Sequence, residues 1–333
     1  MNEIAVVKPD HIGDLVLSLP AMRALKNNYG AFDLFASPSN TFIKDHFLPD
    51  IPFYPAVFAH LQKNPTRNDH RDIVKQLKNY KLVIFLRDDD VMRSVASELS
   101  SRSLMVCNDM DLHETIIQKN AIADLVGEYS RSKMFPEQPK CWPMNIATIG
   151  LSISAGFFTN KLPALHWVRL ARRLISFERI TIKIIGGPQE LVEAKHIASI
   201  LGLGQSDIII GDHDINLFYE KLGTCDIIVG TDSGTLHLAS VIKPLLGIFT
   251  ASPWRRFSPF GKHNRVIFAD VPCSPCIQFS KSAFNGCLSR ECSTLIEPEY
   301  IHKAIFEKTE VSSVVLSPLV RLVSGPSHIE AFS

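Results

Sequence analysis

"DIIVGTDSGTLHLASVIKPLLGIF", residues 226–249, reads as an apolar run, a turn of small polar residues, a short helical stretch and a second apolar run. The runs 226–230 and 244–249 are β-rich and bounded by polar residues or proline, the pattern of strands buried in a parallel sheet. Between them Asp232, Ser233 and Gly234 open a helix predicted over 234–241 that carries His237. Such a joint has two readings. In one, Asp232 or Ser233 merely caps the helix. In the other, exposed N–H groups and the helix dipole form a seat for an anion such as a phosphate.

The same grammar extends outward from this stretch. Upstream, "IATIGLSIS" (146–154), a helix near 164–177, "ITIKIIGG" (180–187), a helix from Glu190, "DIIIG" (207–211) and a helix near 214–223 alternate strand with helix. That alternation predicts a doubly wound α/β domain. The N-terminal half repeats it with strands at 3–8, 32–37 and 81–86, and a helix whose stripe runs through Leu15, Leu19, Met22 and Leu25. The proline-rich stretch "MFPEQPKCWPMN" (134–145) is the linker. The expected division is therefore an N-terminal domain over 1–143, a second domain over 144–310 and a C-terminal tail over 311–333. Two such domains facing each other set strand C-terminal ends, where α/β sheets bind ligands, on either side of a cleft.

Bulk composition fits this organisation and excludes several functions. A chain of 333 residues is too long for one ordinary core, and 46% apolar with 21% charged residues describes a globular protein. Lys plus Arg (35) balances Asp plus Glu (34), so no general attraction for nucleic acid is expected. No run approaches the roughly 18 uncharged apolar residues of a membrane span, which leaves at most peripheral membrane contact. The N-terminus lacks a signal-peptide pattern, and four of the seven cysteines crowd between 273 and 292 instead of spreading as a disulfide framework would, so a cytoplasmic location is expected.

Four further clusters carry chemistry. In "KPDHIGD" (8–14), Gly13 serves a strand-to-helix turn, and Asp14 either caps the helix or supplies a carboxylate that takes a proton from an attacking hydroxyl. The glycines of a dinucleotide fingerprint are missing, and no GxxxxGK[ST] run occurs, so hydride-transfer enzymes and P-loop ATPases are not supported. "SISAGFFTNK" (152–161) offers small hydroxyl-bearing residues such as Ser154, with Lys161 as a charge for a phosphate or as a solvated loop lysine. In "IIGGPQE", Glu190 either complements a helix dipole or accepts hydrogen bonds from a ribose. "LRDDDVMR" (86–93) reads as a solvated strand end, because adjacent Asp side chains point in different directions. Cys273, Cys276, Cys287 and Cys292 follow a Cys-x2-Cys-x10-Cys-x4-Cys spacing, which suits a closed zinc or iron site or else leaves four free thiols.

Taken in order and spacing, these motifs resemble glycosyltransferase family 9, the heptosyltransferases that use ADP-heptose in lipopolysaccharide assembly and related glycosylation. The resemblance rests on "VVKPDHIGDLVLSLPAMRALK", "YKLVIFLRDDDVMRSVASEL", "KLPALHW", "IIGGPQE" and the long block from Asp226 to Gly261. It implies a GT-B fold, two Rossmann-like domains with the sugar nucleotide bound mainly by the second. By the same matching, Asp14 is the base and Lys161 the charge facing the leaving group, while Gly13, Ser154, Glu190, Asp232, Ser233, Gly234 and His237 bind the nucleotide sugar. Catalysis needs no cofactor, and the Cys cluster resembles one that binds iron in some members. The implied partners are an ADP-heptose-like donor and a glycan, lipid-linked or protein acceptor. The rival is a catalytically idle scaffold of the same fold that acts in binding or assembly.

Overall fold

A computed structural model describes residues 3–56, 67–135, 141–211, 214–261, 263–276, 287, 289–307 and 313–325. The chain divides into two compact units, residues 1–136 and 137–333, so the boundary falls inside the proline-rich stretch that the sequence marks as a linker.

The first unit runs β1 (Ile4–Lys8), α1 (Ile12–Tyr29), β2 (Asp33–Ala36), α2 (Thr41–Phe47), β3 (Phe53–Pro55) and α3 (Arg67–Leu77). It continues through β4 (Leu82–Phe85), α4 (Asp90–Ser97), β5 (Arg102–Met105), α5 (Glu114–Val126) and α6 (Arg131–Met134). Its five strands are parallel in the order β3-β2-β1-β4-β5. The direction of winding therefore reverses at β1, the place where open α/β sheets bind ligands. The first strand is apolar from Ile4 to Val7 because both its faces are covered, and Ala5, Val6 and Val7 have no exposed surface. Helix α1 is buried from Leu15 to Met22 with Pro20 inside it.

The second unit runs β6 (Thr148–Ser152), α7 (Ala164–Glu178), β7 (Thr181–Gly186), α8 (Leu191–Leu201), β8 (Ile208–Ile210), α9 (Ile215–Leu222), β9 (Ile227–Thr231), α10 (Gly234–Ala239) and β10 (Leu245–Phe249). Strands β11 (Arg265–Ala269), β12 (Ser313–Ser317) and β13 (Val320–Ser324) complete its sheet, ordered β12-β13-β11-β10-β9-β6-β7-β8. The six strands from β11 to β8 are parallel, and β12 and β13 form an antiparallel hairpin on the far edge. Read in chain order, the parallel part is a doubly wound Rossmann arrangement whose direction reverses between β6 and β9. The hairpin corrects the expectation of a tail over 311–333. Leu316, Val320 and Leu322 are buried in the same core as Trp167 and Ile267, which draws residues 313–324 onto the sheet; the final residues 326–333 lie outside the described residues. Among the described residues no helix is long and apolar enough to cross a membrane.

Candidate functional site

The two units present very different strand ends. In the first, the reversal point at β1 is packed with buried charge. The Lys8 ammonium donates to the carbonyl of Leu86 at 2.9 Å and lies 3.0 Å from Asp10 and 3.7 Å from Glu114. Arg87 completes the chain, pairing with both Asp10 and Asp89. Burial alone would lower the Lys8 pKa, but Asp10, Glu114 and Asp14 outweigh it and hold it above its ordinary value. Burial likewise opposes ionisation of Asp10, yet Lys8 and Arg87 prevail and keep its carboxyl at about 2. Asp14 stands in the first turn of α1, and its field reaches Lys8. The N-cap position belongs to His11, whose side chain makes no capping bond, so the reading of Asp14 as the N-cap is not what the helix shows. Gly13 is buried beside it.

The Asp triplet differs from the solvated strand end expected of it. Asp88 receives two hydrogen bonds from Arg93, at 2.7 and 2.9 Å, with its side chain only 9% exposed. Asp89 caps α4 by accepting from the Met92 N–H at 2.8 Å. Only Asp90 stands in solvent. Adjacent residues do point apart, but Asp88 and Asp89 end in an ion pair and a cap, and exposed Asp90 still lies 3.8 Å from Arg93.

In the second unit the ends of β6, β7 and β9 converge on small and hydroxyl-bearing side chains. Gly230 lets β9 lie close against β6, since a Cβ there would come 2.7 Å from the Cβ of Ser152. The Thr231 hydroxyl donates to the Ser154 carbonyl at 2.6 Å, and the Gly156 N–H donates to the Asp232 carbonyl at 3.1 Å, tying the two loops together. Ser154 receives the Gly187 N–H at 3.1 Å and donates to Glu190 at 3.2 Å; Glu190 also takes the Gly187 N–H at 3.0 Å. Ser154 and Glu190 thus belong to one hydrogen-bonded rim at the switch point, and the Asp232 carbonyl ties the neighbouring loop to it through Gly156. Ser233 is the N-cap of α10, with its hydroxyl accepting from Leu236 at 3.3 Å, so the capping reading holds for it. His237 is buried, with Nε2 3.5 Å from Asp232 and no hydrogen-bond partner for Nδ1 among the described residues. Lys161 is not the isolated cation its sequence context suggests, because its ammonium pairs with Glu193 of α8 at 2.5 Å.

All seven cysteines are free thiols. Burial first, and then the neighbouring thiols of Cys276, Cys273 and Cys287, push the Cys292 thiol up to about 11. The same neighbours raise Cys276 after burial does. The four sulfurs expected as metal ligands therefore feel one another, although among the described residues no group of three His, Cys, Asp or Glu is arranged to hold an ion.

This arrangement of a Rossmann switch point rimmed by hydroxyls and glycines suits a phosphorylated nucleotide. The sequence model of glycosyltransferase family 9 (heptosyltransferase) matches residues 130–285. The matched segment is a glycosyltransferase family 9 domain. No curated protein matches the chain. Among solved structures, E. coli heptosyltransferase WaaC with ADP superposes with a TM-score of 0.58 and 17% identity over 79% of this chain and 92% of that one. The family 9 glycosyl transferase of Veillonella parvula DSM 2008 gives 0.61 at 15% identity, covering 79% and 86%. The iron-containing dodecameric glycosyltransferase TibC of enterotoxigenic E. coli H10407 gives 0.56 at 12%, covering 92% and 77%. At these identities the likeness is one of fold, the GT-B fold with two Rossmann-like domains. The family 9 domain includes Ser154, Lys161, Glu190 and the block from Asp232 to His237; Asp14, Cys287 and Cys292 lie outside the matched residues.

Sequence reasoning missed Lys8, Asp10, Arg87 and Glu114. The available signal was a lysine and an aspartate placed directly after the wholly apolar run of β1, where a charge must find partners. Glu193, the partner of Lys161, left no signal, since a glutamate in the first turn of a helix is commonplace.

Proposed function

We propose that the chain transfers heptose, or a similar sugar, from ADP-heptose or another nucleotide sugar to a hydroxyl of a glycan, lipid-linked or protein acceptor. The single observation that carries this reading is the switch point between β6 and β9, where Ser154, Gly156, Gly187, Asp232 and Gly234 meet inside the segment that matches family 9. It is supported by two fold relatives, WaaC with ADP and the heptosyltransferase TibC in complex with ADP-D-beta-D-heptose. In the proposed reaction the acceptor hydroxyl loses its proton to the Asp14 carboxylate as its oxygen bonds to the anomeric carbon of the sugar. The bond from that carbon to the diphosphate breaks, and the nucleoside diphosphate leaves with the bonding pair. Charge grows on the departing phosphate, so the start of α10 at Gly234 together with Lys161 favours the transition state over the ground state. Lys161 does this while sharing its charge with Glu193, which gives its ammonium a fixed position.

The four cysteines are of the kind that binds zinc or iron, although among the described residues no three of them are arranged to hold an ion. Cys273, Cys276, Cys287 and Cys292 would hold such an ion as a structural staple, with no part in the chemistry. A thermal-shift screen of ADP- against UDP- and GDP-sugars tests the donor. The reading expects the largest stabilisation with the ADP compounds, and equal or absent shifts with all of them would count against it.

A further inference from the structure

The segment between Cys287 and Cys292 is tied to the loop that carries Lys161. Arg290 has a left-handed backbone, φ 47°, which a residue with a side chain adopts only at a cost in strain. Its carbonyl accepts the N–H groups of Ser293 at 2.9 Å and Thr294 at 3.0 Å, and so caps the helix Glu291–Thr294. The guanidinium reaches the other way. It donates to the backbone carbonyl of Lys161 and lies 4.8 Å over the ring of Phe158. Phe158 and Lys161 flank the short turn at 158–160 that ends the loop from β6. The other end of the cysteine segment grips the same turn through an intermediate strand end. The Cys276 N–H donates to Ala251 at 3.0 Å, and the Ser274 hydroxyl donates to Thr250. Thr250 in turn donates to the Thr159 carbonyl at 3.2 Å, while the Asn160 side chain donates to Ser252 at 2.5 Å.

We infer that Arg290 is a positioning residue for donor binding: from a strained backbone in the cysteine segment it braces the Phe158–Lys161 turn, and through that turn it sets where Lys161 meets the donor's diphosphate. This rests on the proposed seating of the diphosphate in the second unit. A flexible loop lysine must be immobilised before it can act on a phosphate, and that cost falls on binding unless the fold meets it beforehand. Two restraints meet at Lys161, Arg290 on its backbone and Glu193 on its ammonium. The planar guanidinium is suited to the task because it stacks and donates at once, which an ammonium does not do. The inference also gives the cysteine segment a function: whatever fixes the segment, whether packing or an ion, fixes the turn as well.

Calorimetric titration with ADP tests this in wild type, Arg290→Ala, Arg290→Lys, Lys161→Ala and the Arg290→Ala/Lys161→Ala double variant. ADP is the probe because it carries the full charge of the leaving group. The expectation is about tenfold weaker binding for each alanine variant and about threefold weaker binding for Arg290→Lys. The double variant should bind within about threefold of Lys161→Ala, because a brace acts only through what it holds. A purely structural arginine would lower the melting temperature without this coupling. Arg290→Ala binding ADP like wild type, or the two alanine effects multiplying in the double variant, would overturn the inference. Should Arg290→Ala fail to fold, Arg290→Lys decides, and binding equal to wild type there overturns it as well. Wild-type protein that binds no ADP would remove the donor site itself and the brace with it, an outcome distinct from a variant that matches a binding wild type.

Discussion

The reversal point of the first sheet is filled with ions, and that of the second is nearly emptied of side chains. At β1, Lys8, Asp10, Arg87 and Glu114 neutralise one another in the interior. At β6 and β9, serine, threonine and glycine keep the backbone accessible, and Lys161 and Glu193 stand paired at the rim. The difference separates two tasks within one fold type. The buried ion cluster holds Lys8 and Asp10 charged close to Asp14, the carboxylate proposed as the base. A rim of small and hydroxyl-bearing side chains leaves room for an anion, and the carboxylates on it are engaged, Glu190 by the Gly187 N–H and Asp232 beside His237.

The largest effect should come from removing the carboxylate proposed as the base. Asp14→Asn is expected to lower turnover with an authentic acceptor by about 10²–10⁴-fold while ADP still binds, since donor seating belongs to the second unit. Turnover and calorimetry on the same preparation check this, and an Asn variant near the wild-type rate would take Asp14 out of the reaction.

Acid should separate the units next. His263 of the second unit is buried, and burial pushes its pKa down to about 4. The unfolded chain then binds more protons than the folded one between about pH 6.5 and 4, so stability falls as pH falls through that window, by about 3 kcal/mol in all. Asp10 of the first unit has its pKa depressed to about 2 by Lys8 and Arg87 against the opposing effect of burial. Its contribution of about 2 kcal/mol is complete above pH 4 and is lost only as pH falls from about 4 towards 2. Hydrogen exchange, corrected for intrinsic rates, should therefore show β9–β11 losing protection at higher pH than β1 and β4. The reverse order would break the electrostatic contrast between the units.

The smallest effect concerns the cap of α10. Ser233→Ala should cost about 1 kcal/mol of stability, measured by denaturant unfolding, and leave ADP affinity within about twofold in the folded fraction, because its hydroxyl already serves Leu236. A large loss of ADP affinity without loss of stability would mean that this hydroxyl serves the ligand instead.

The sequence carried most of the second unit and less of the first. Strands such as "DIIVG" and "ITIKIIG" are continuous apolar runs bounded by glycine and polar residues, so their burial on both faces is written locally. The strands that escaped reading are β3 and β5 at the edges of the first sheet, the interior strand β11, and the hairpin of β12 and β13. β3 and β5 are three and four residues long and half exposed, and β12 alternates irregularly. Glycine and serine spacing made the switch point legible because it reflects a local requirement for backbone proximity. The ion cluster was not legible, since Asp10 finds Arg87 across 77 residues and no local pattern encodes that pairing. Arg290 escaped for the same reason, as its partner Lys161 is 129 residues away.

The central claim is that the strand ends of the second unit seat the donor's diphosphate, and calorimetric titration of Gly234→Val with ADP tests it most directly. Gly234 follows the capping serine and opens α10, where a branched side chain stands between the backbone and an approaching phosphate. The account predicts a folded variant with wild-type melting behaviour and ADP binding weakened by at least about a hundredfold. A folded Gly234→Val protein that binds ADP as tightly as wild type would contradict it.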